Sequence, residues 1–343
     1  MKNENFLWEL LSKVSVSGAE EESQAFIAEY MKPYADEVRR DEIGDVVCVL
    51  NPQAERKILL AAHGDEIGLI VNYITPEGFL HVIKRGGIFC RTYPGQKVKI
   101  VTENGVVSGV VVISSDLLKK QELEVTDLLI DIGVQSEEEA AKLVTPGDVA
   151  VFDTEIRKLA NGRFTSRALD DKLGVFIIME ALKRAKERGC QIGVYSAATV
   201  GEETNTSGAY FTAARVKPDL AVIVDVTWVS DYPGMKPETA GKVLLGGGPV
   251  LCDNQMVARK DNRQMKAIAR KAGIPVQMEF VADRTKTDGD KIHYANEGVP
   301  IVLVSIPLRY MHSPSEVADE KDVENCIALV TEFLMEESEK WVK

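Results

Sequence analysis

Four apolar runs along this chain stop on side chains of the metal-ligating or acid–base type. Lys57-Ile-Leu-Leu-Ala-Ala62 leads into His63, and Leu220-Ala-Val-Ile-Val224 leads into Asp225. Ile192 to Val200 is followed by Glu202-Glu203, and Val299 to Pro307, around Ile301-Val-Leu-Val304, by His312. Near-continuous apolar runs predict central strands of a sheet covered on both faces, because neither side of such a strand meets water. In open α/β folds, ligands gather outside the carboxyl ends of those strands. A fifth candidate, Asp170-Asp171, stands just before a helical stretch.

The rest of the pattern sorts into two textures. The first forty residues predict helix, with Ser17-Gly-Ala-Glu20 as a capping box ahead of Phe26, Ile27, Tyr30 and Met31. Val46 to Leu50 predicts a strand. Asp171 to Arg188 predicts a helix stopped by Gly189, and Asp261 to Ala272 another, stopped by Gly273 and Pro275. Val323, Cys326, Ile327, Val330, Phe333 and Leu334 form one buried stripe near the carboxyl end. From Leu69 to about Asp153 the runs become short and β-rich, broken by Pro76-Glu-Gly78, Gly86-Gly87, Pro94-Gly95 and Asn104-Gly105. The last pair predicts a hairpin turn with both residues at positive φ, between Val98–Val101 and Val106-Val107. Ser136 to Leu143 adds one short helix. The expected fold is α/β: a mixed central sheet with helices on both faces, discontinuous over 1–66 and 158–343. A small β-rich domain at 67–157 is inserted in it. That insertion holds none of the candidate ligands and reads as an assembly module outside the chemistry, with strand edges that need covering.

Composition narrows the partners. The 343 residues carry 41 basic and 53 acidic side chains, a net charge of −12, which repels a phosphate backbone and argues against nucleic acid. No stretch reaches bilayer-spanning length, and the amino-terminal residues predict an amphipathic helix without a signal-peptide run, so no membrane partner is expected. The five cysteines are scattered and never form CxxC, which fits a reducing cytoplasm.

The candidate chemistry rests on cost. Glu202-Glu203 follows a run that should be buried, and two carboxylates there need a positive compensator. A metal for one and a catalytic proton for the other would serve. His63 reads as a ligand with Asp65 as the carboxylate behind its ring. A cap explains one of Asp170-Asp171, and a carboxylate between two cations explains the other. Asp225 ends its run with no identifiable salt-bridge partner, and His312 lies in a polar loop. Glu20-Glu-Glu22, Glu137-Glu-Glu139 and Glu336-Glu337 read as solvated helix faces, and His81 and His293 as structural. Thr287-Asp-Gly-Asp290 reads as the cap of a helix ending near Glu297, with acids able to face the site.

The ordered series His63-Gly-Asp65-Glu-Ile-Gly68, Ala168-Leu-Asp170-Asp-Lys172, Glu202-Glu203 with Gly208-Ala209, Asp225-Val-Thr227, Thr287-Asp288 and Arg309-Tyr-Met-His312-Ser-Pro314 resembles the tetrahedral aminopeptidases. Members of that family also go by glutamyl or deblocking aminopeptidase and by cellulase-M endoglucanase. The resemblance spans nearly the whole chain, with Leu129-Ile-Asp131-Ile-Gly133 and Pro146-Gly-Asp148 falling in a dimerisation domain. It implies two divalent ions, zinc or cobalt ahead of manganese. His63 and Asp225 would bind one, Glu203 and His312 the other, and Asp170 would bridge them. Glu202 would be the general base and Asp65 the carboxylate behind His63. Gly201, Thr204-Asn-Thr-Ser207, Gly64 and Trp228 depart from the family pattern, which bears on substrate preference. The implied activity is release of amino-terminal residues from peptides. The implied assembly is a homo-oligomer, a dimer or six dimers in a hollow shell that excludes folded proteins. The rival readings are an endo-1,4-glucanase, a carboxypeptidase or N-acyl amino acid deacylase on the same metal core, and a non-catalytic peptide binder. A glucanase needs no imidazoles.

Overall fold

In the computed structural model, which describes residues 3–257 and 259–342, the apolar runs become the middle of one sheet. The strands before the insertion are β1 (Glu37–Arg40), β2 (Val46–Leu50) and β3 (Lys57–His63). The insertion supplies β4 (Gly68–Ile74), β5 (Leu80–Arg85), β6 (Lys97–Thr102), β7 (Gly105–Val111), β8 (Leu129–Asp131) and β9 (Val149–Phe152). After it come β10 (Arg157–Lys158), β11 (Arg163–Ser166), β12 (Gly193–Thr199) and β13 (Leu220–Trp228). The last are β14 (Val250–Asp253), β15 (Gln277–Phe280), β16 (Ile301–Leu308) and β17 (Glu316–Asp319).

The central sheet has eight strands in the order β1-β2-β12-β3-β13-β16-β14-β15. Its middle four, β12, β3, β13 and β16, are parallel to one another, and antiparallel pairings on either side make the sheet mixed. Successive side chains point to opposite faces. Ile58, Leu60 and Ala62 therefore join the core under the Leu169–Glu187 and Glu320–Val342 helices, while Leu59 and Ala61 join the core under Ser207–Val216. Both faces are dry, which is why the run is unbroken in sequence. Burial of each such Leu or Ile contributes about 1.5–3 kcal/mol.

The insertion closes on itself as a barrel, β4-β5-β8-β7-β6-β9, around Leu69, Val71, Val82, Ile100, Ile130 and Phe152. Closure leaves no strand edge to cover, contrary to the open-edged module expected from the sequence. Ile70, Val149 and Val151 on the barrel's outer side pack against Val14 and Val16, so the barrel is docked on the α/β domain.

Several local expectations differ from the structure. The capping box does not form: Glu20 has helical φ/ψ with no side-chain cap, and the Ser17 hydroxyl donates instead to Asp65. The first forty residues end in strand β1 rather than helix. The hairpin is present, but Thr102 pairs with Gly105, so Glu103-Asn104 form the loop and Gly105, at φ 123°, opens the next strand. Asp225 lies inside β13, not at its end, because the strand continues to Trp228. The helix after Thr287 is only Gly289–Ile292.

Candidate metal centre

The four parallel strands deliver their polar side chains to one rim. His63 is the last residue of β3, and Asp225 projects from the neighbouring β13. Glu202 and Glu203 lie in the turn after β12, and His312 in the loop after β16. Asp170 arrives from a different direction, through β11, which pairs with β17 so that Ser166 faces Glu316. All seven predicted residues come together.

Asp170 is the hub. Its Oδ1 lies 3.1 Å from His63 Nε2, and its Oδ2 lies 3.2 Å from His312 Nε2. One carboxylate thus faces two imidazoles through two separate oxygens. His312 Nε2 is also 3.3 Å from Glu203 Oε1. On the other side His63 Nε2 is 3.9 Å from both Asp225 Oδ1 and Glu202 Oε2. Donor atoms of His63, Asp170 and Glu203 lie within 4.8 Å of one another, and so do those of His63, Asp171 and Asp225. Of the adjacent aspartates, Asp171 accepts from Gly174 N–H at 3.0 Å and so caps the helix, leaving Asp170 free to face the imidazoles.

Asp65 sits behind this layer, fully buried. Its carboxylate accepts the backbone N–H groups of Glu202 and Glu203 at 3.1 and 3.2 Å, besides the Ser17 hydroxyl. His63 Nδ1 is nearer the Asp65 backbone carbonyl, at 3.1 Å, than its carboxylate, at 3.4 Å. Asp65 thus fixes the two glutamates directly, and the His63 ring through its main chain.

Other residues complete the frame; of these the sequence reading passed over Glu316 and Arg167 and gave Glu66 and Lys172 no role of their own. Glu316 is buried and accepts the backbone N–H groups of Leu169 and His312 at 2.7 and 2.8 Å. It holds the Asp170 and His312 loops together, with His312 at a positive φ of 63°. Glu66, next to Asp65, pairs with buried Arg167 and Lys172; burial alone would raise its pKa, yet the two cations hold it at about 2. Arg167 and Lys172 also donate to the Lys13 carbonyl, tying the amino-terminal segment to the site. Asp288, one of the acids expected to be able to face the site, accepts the hydroxyl of Thr199 at the end of β12. These are single polar residues in loops or at helix starts, and no periodicity marks them. The two histidines read as structural are so placed: His293 Nδ1 meets the Val299 carbonyl, and His81 lies beside Tyr73 on the barrel.

The barrel reaches into this centre, which the sequence reading did not foresee. The Gly87 carbonyl, just after β5, lies 2.8 Å from His312 Nδ1, and the Phe89 ring stands beside the imidazole. A Cβ on Gly87 would come within 3.0 Å of the ring, and one on Gly86 within 3.2 Å of Glu203 Oε2. Only backbone without side chains approaches so closely.

Charge balance points to a cation. Among the described residues no lysine or arginine pairs with Asp170, Glu202, Glu203 or Asp225. Burial, reinforced by neighbouring acids, pushes Glu202, Asp171 and Asp225 well above the usual carboxylate range. Burial opposes a charge on His312, yet Asp170 and Glu203 push its pKa up to about 11. Oδ2 of Asp171 and Oδ1 of Asp288 are buried without a hydrogen-bond partner. Hard oxygen donors with two imidazoles suit divalent zinc, cobalt or manganese, so the donor set fits metal.

The family model described as M42 glutamyl aminopeptidase matches residues 44–329. The lysyl aminopeptidase of Pyrococcus furiosus is 32% identical over 343 residues, covering 96% of this chain and 97% of that one. Among solved structures, the TET aminopeptidase of the marine sediment archaeon Thaumarchaeota archaeon SCGC AB-539-E09 superposes with a TM-score of 0.91 at 35% identity, covering 99% and 98% of the two chains. The TET1 peptidase of Pyrococcus horikoshii, which can assemble into a tetrahedron or a large octahedral shell, gives a TM-score of 0.85 at 32% identity, with 96% and 98% covered.

Proposed function

The chain belongs to the M42 glutamyl aminopeptidase family, a family of metallopeptidases, and from that premise we propose how its residues divide the work. His63 and Asp225 would hold one divalent ion, Glu203 and His312 a second, and Asp170 would serve both. The observation that carries this reading is the pair of Asp170 oxygens facing separate imidazoles at 3.1 and 3.2 Å. Two ions bound there would supply Lewis acidity, lowering the pKa of water and polarising the scissile carbonyl. Glu203 is engaged with His312, whereas Glu202 has no hydrogen-bonded side-chain partner among the described residues and stands at the cleft. Glu202 therefore takes the proton of the attacking water and delivers it to the leaving amine. Asp65, by holding both backbone N–H groups, keeps the two glutamates in their separate roles. The acid-lined cleft attracts a free α-ammonium, which favours cleavage at the first residue of a peptide.

The finer assignments follow the same reading. Zinc or cobalt is preferred over manganese, residues 1–66 and 158–343 form the catalytic domain, and 67–157 pairs subunits. Four of the five free cysteines are buried, which accords with a cytoplasmic setting. Chelator-treated protein should lose hydrolysis of aminoacyl-p-nitroanilides, and zinc, cobalt or manganese should restore it. Failure of metal-replete protein on every anilide, alongside clear hydrolysis of carboxymethylcellulose, would overturn the proposal.

A further inference from the structure

The cleft that contains the metal centre has a volume of about 910 Å³ and extends from His63 past Thr227 to the segment after β15. Two carboxylates lining it have no part in the hydrolytic scheme, and one of them, Asp290, is taken up by the Thr285 and Lys286 backbone N–H groups and the Thr285 hydroxyl. Glu279, on the edge strand β15, reaches back across the sheet, where Oε2 accepts the Thr227 hydroxyl at 2.5 Å and Oε1 the Ser305 hydroxyl at 2.7 Å. Ser305 pairs in register with Asp225, and Thr227 lies two residues further along the same strand. Glu279 is therefore anchored beside the Asp225 half of the metal centre. Its polar partners among the described residues are these two neutral hydroxyls, and no lysine or arginine pairs with it. Burial pushes its pKa above the usual carboxylate range. A largely buried carboxylate without a cation is costly to keep, and one facing a substrate cleft can be matched by a cation that the substrate brings.

We infer that Glu279 selects the residue at the amino end of the substrate, and that the cleft takes lysine or arginine there, its side-chain charge paired with the Glu279 carboxylate. The inference rests on the aminopeptidase scheme above. A residue whose carbonyl lies at the ion pair would direct its side chain past Asp225 toward Thr227 and Ser305. Val281 and Leu303, which also line the cleft, offer an apolar wall to the methylene stem. Arg284, Lys286 and Lys291 would instead favour an acidic residue, but all three are exposed at the rim, where solvent and salt screen them.

The test compares Lys-, Arg-, Leu- and Glu-p-nitroanilide on the metal-replete protein and on Glu279→Gln. Wild-type kcat/KM for Lys and Arg should exceed that for Leu and Glu by about tenfold or more, because Leu and Glu leave the Glu279 carboxylate without a cation. The Lys:Leu ratio should fall by about tenfold in Glu279→Gln, mainly through KM. A wild-type protein that prefers Leu or Glu overturns the inference, even if the variant fails to fold. So does an unchanged Lys:Leu ratio in a folded variant, the signature of a merely structural carboxylate. Cleavage of Leu without preference for Lys or Arg would leave the metallopeptidase scheme standing, whereas cleavage of none of the four would remove both.

Discussion

Glu202 and Glu203 leave the same turn, with neighbouring amides held by the same Asp65, and differ in what their side chains meet. Glu203 lies 3.3 Å from His312, while the nearest imidazole to Glu202 is 3.9 Å away. A carboxylate that carries a proton in turnover must not be committed to a ligand bond, and Glu202 is the one left uncommitted. Glu202→Gln keeps the shape and removes the base. It should fold and bind metal as the wild type does, and lose at least ~10²-fold in kcat, the scale of general base catalysis. Steady-state kinetics with elemental analysis on the same preparation decides it; near-wild-type turnover in the metal-loaded variant would return the base role to another group. Ser17 shows the limit of reading such residues from local pattern. Its spacing to Glu20 fits a helix cap, but its hydroxyl is taken by a buried carboxylate from another segment.

At the level of elements, the four parallel strands were legible because each carries a run that is apolar on both faces and is followed by a polar candidate, although β13 continues past Asp225 to Trp228. The candidate ligands His63, Asp225, Glu202, Glu203 and His312 follow directly from that punctuation, and the structure gathers them at one rim. The loop Arg309–Val317 was not legible. It is closed by a bridge between those two residues and pinned by Glu316, neither of which leaves a periodic trace. The Gly86-Gly87 pair was visible only as a break in a β-rich stretch. Its use in bringing backbone against Glu203 and His312 depends on how two distant segments pack. Gly87→Val should therefore push the imidazole by a few tenths of an ångström without unfolding the barrel. The expected outcome is a loss of kcat/KM on the order of tenfold to a hundredfold, with little change in melting temperature. Activity equal to wild type would mean that the ring does not depend on this contact.

For the whole molecule, the barrel has two faces in different surroundings. The side docked on the α/β domain packs on Val14 and Val16 and carries Gly87, while Val106 and Val110, on one face of β7, are exposed, as are Ile113 and Leu118. Exposed apolar side chains grouped on one module mark a surface that seeks a partner. Light scattering at micromolar concentration should give a mass that is a multiple of the 37.7 kDa chain, and Val106→Glu with Val110→Glu should reduce it. A wild-type mass of one chain would remove the assembly role. The segregated texture of residues 67–157 made the insertion legible, but its closure into a barrel was not, since ring closure depends on β4 meeting β9 across the whole segment.

The contact between Gly87 and His312 has a consequence for the order in which a ribosome delivers this chain. His63 emerges first, the barrel backbone next, then Asp170, the two glutamates and Asp225, and His312 last of the seven. A chain not yet extended past Glu316, however well its early part has folded, lacks one imidazole and the loop that Glu316 secures. The rim of the central sheet is thus assembled only when the loop carrying His312 has joined strands made much earlier in the chain.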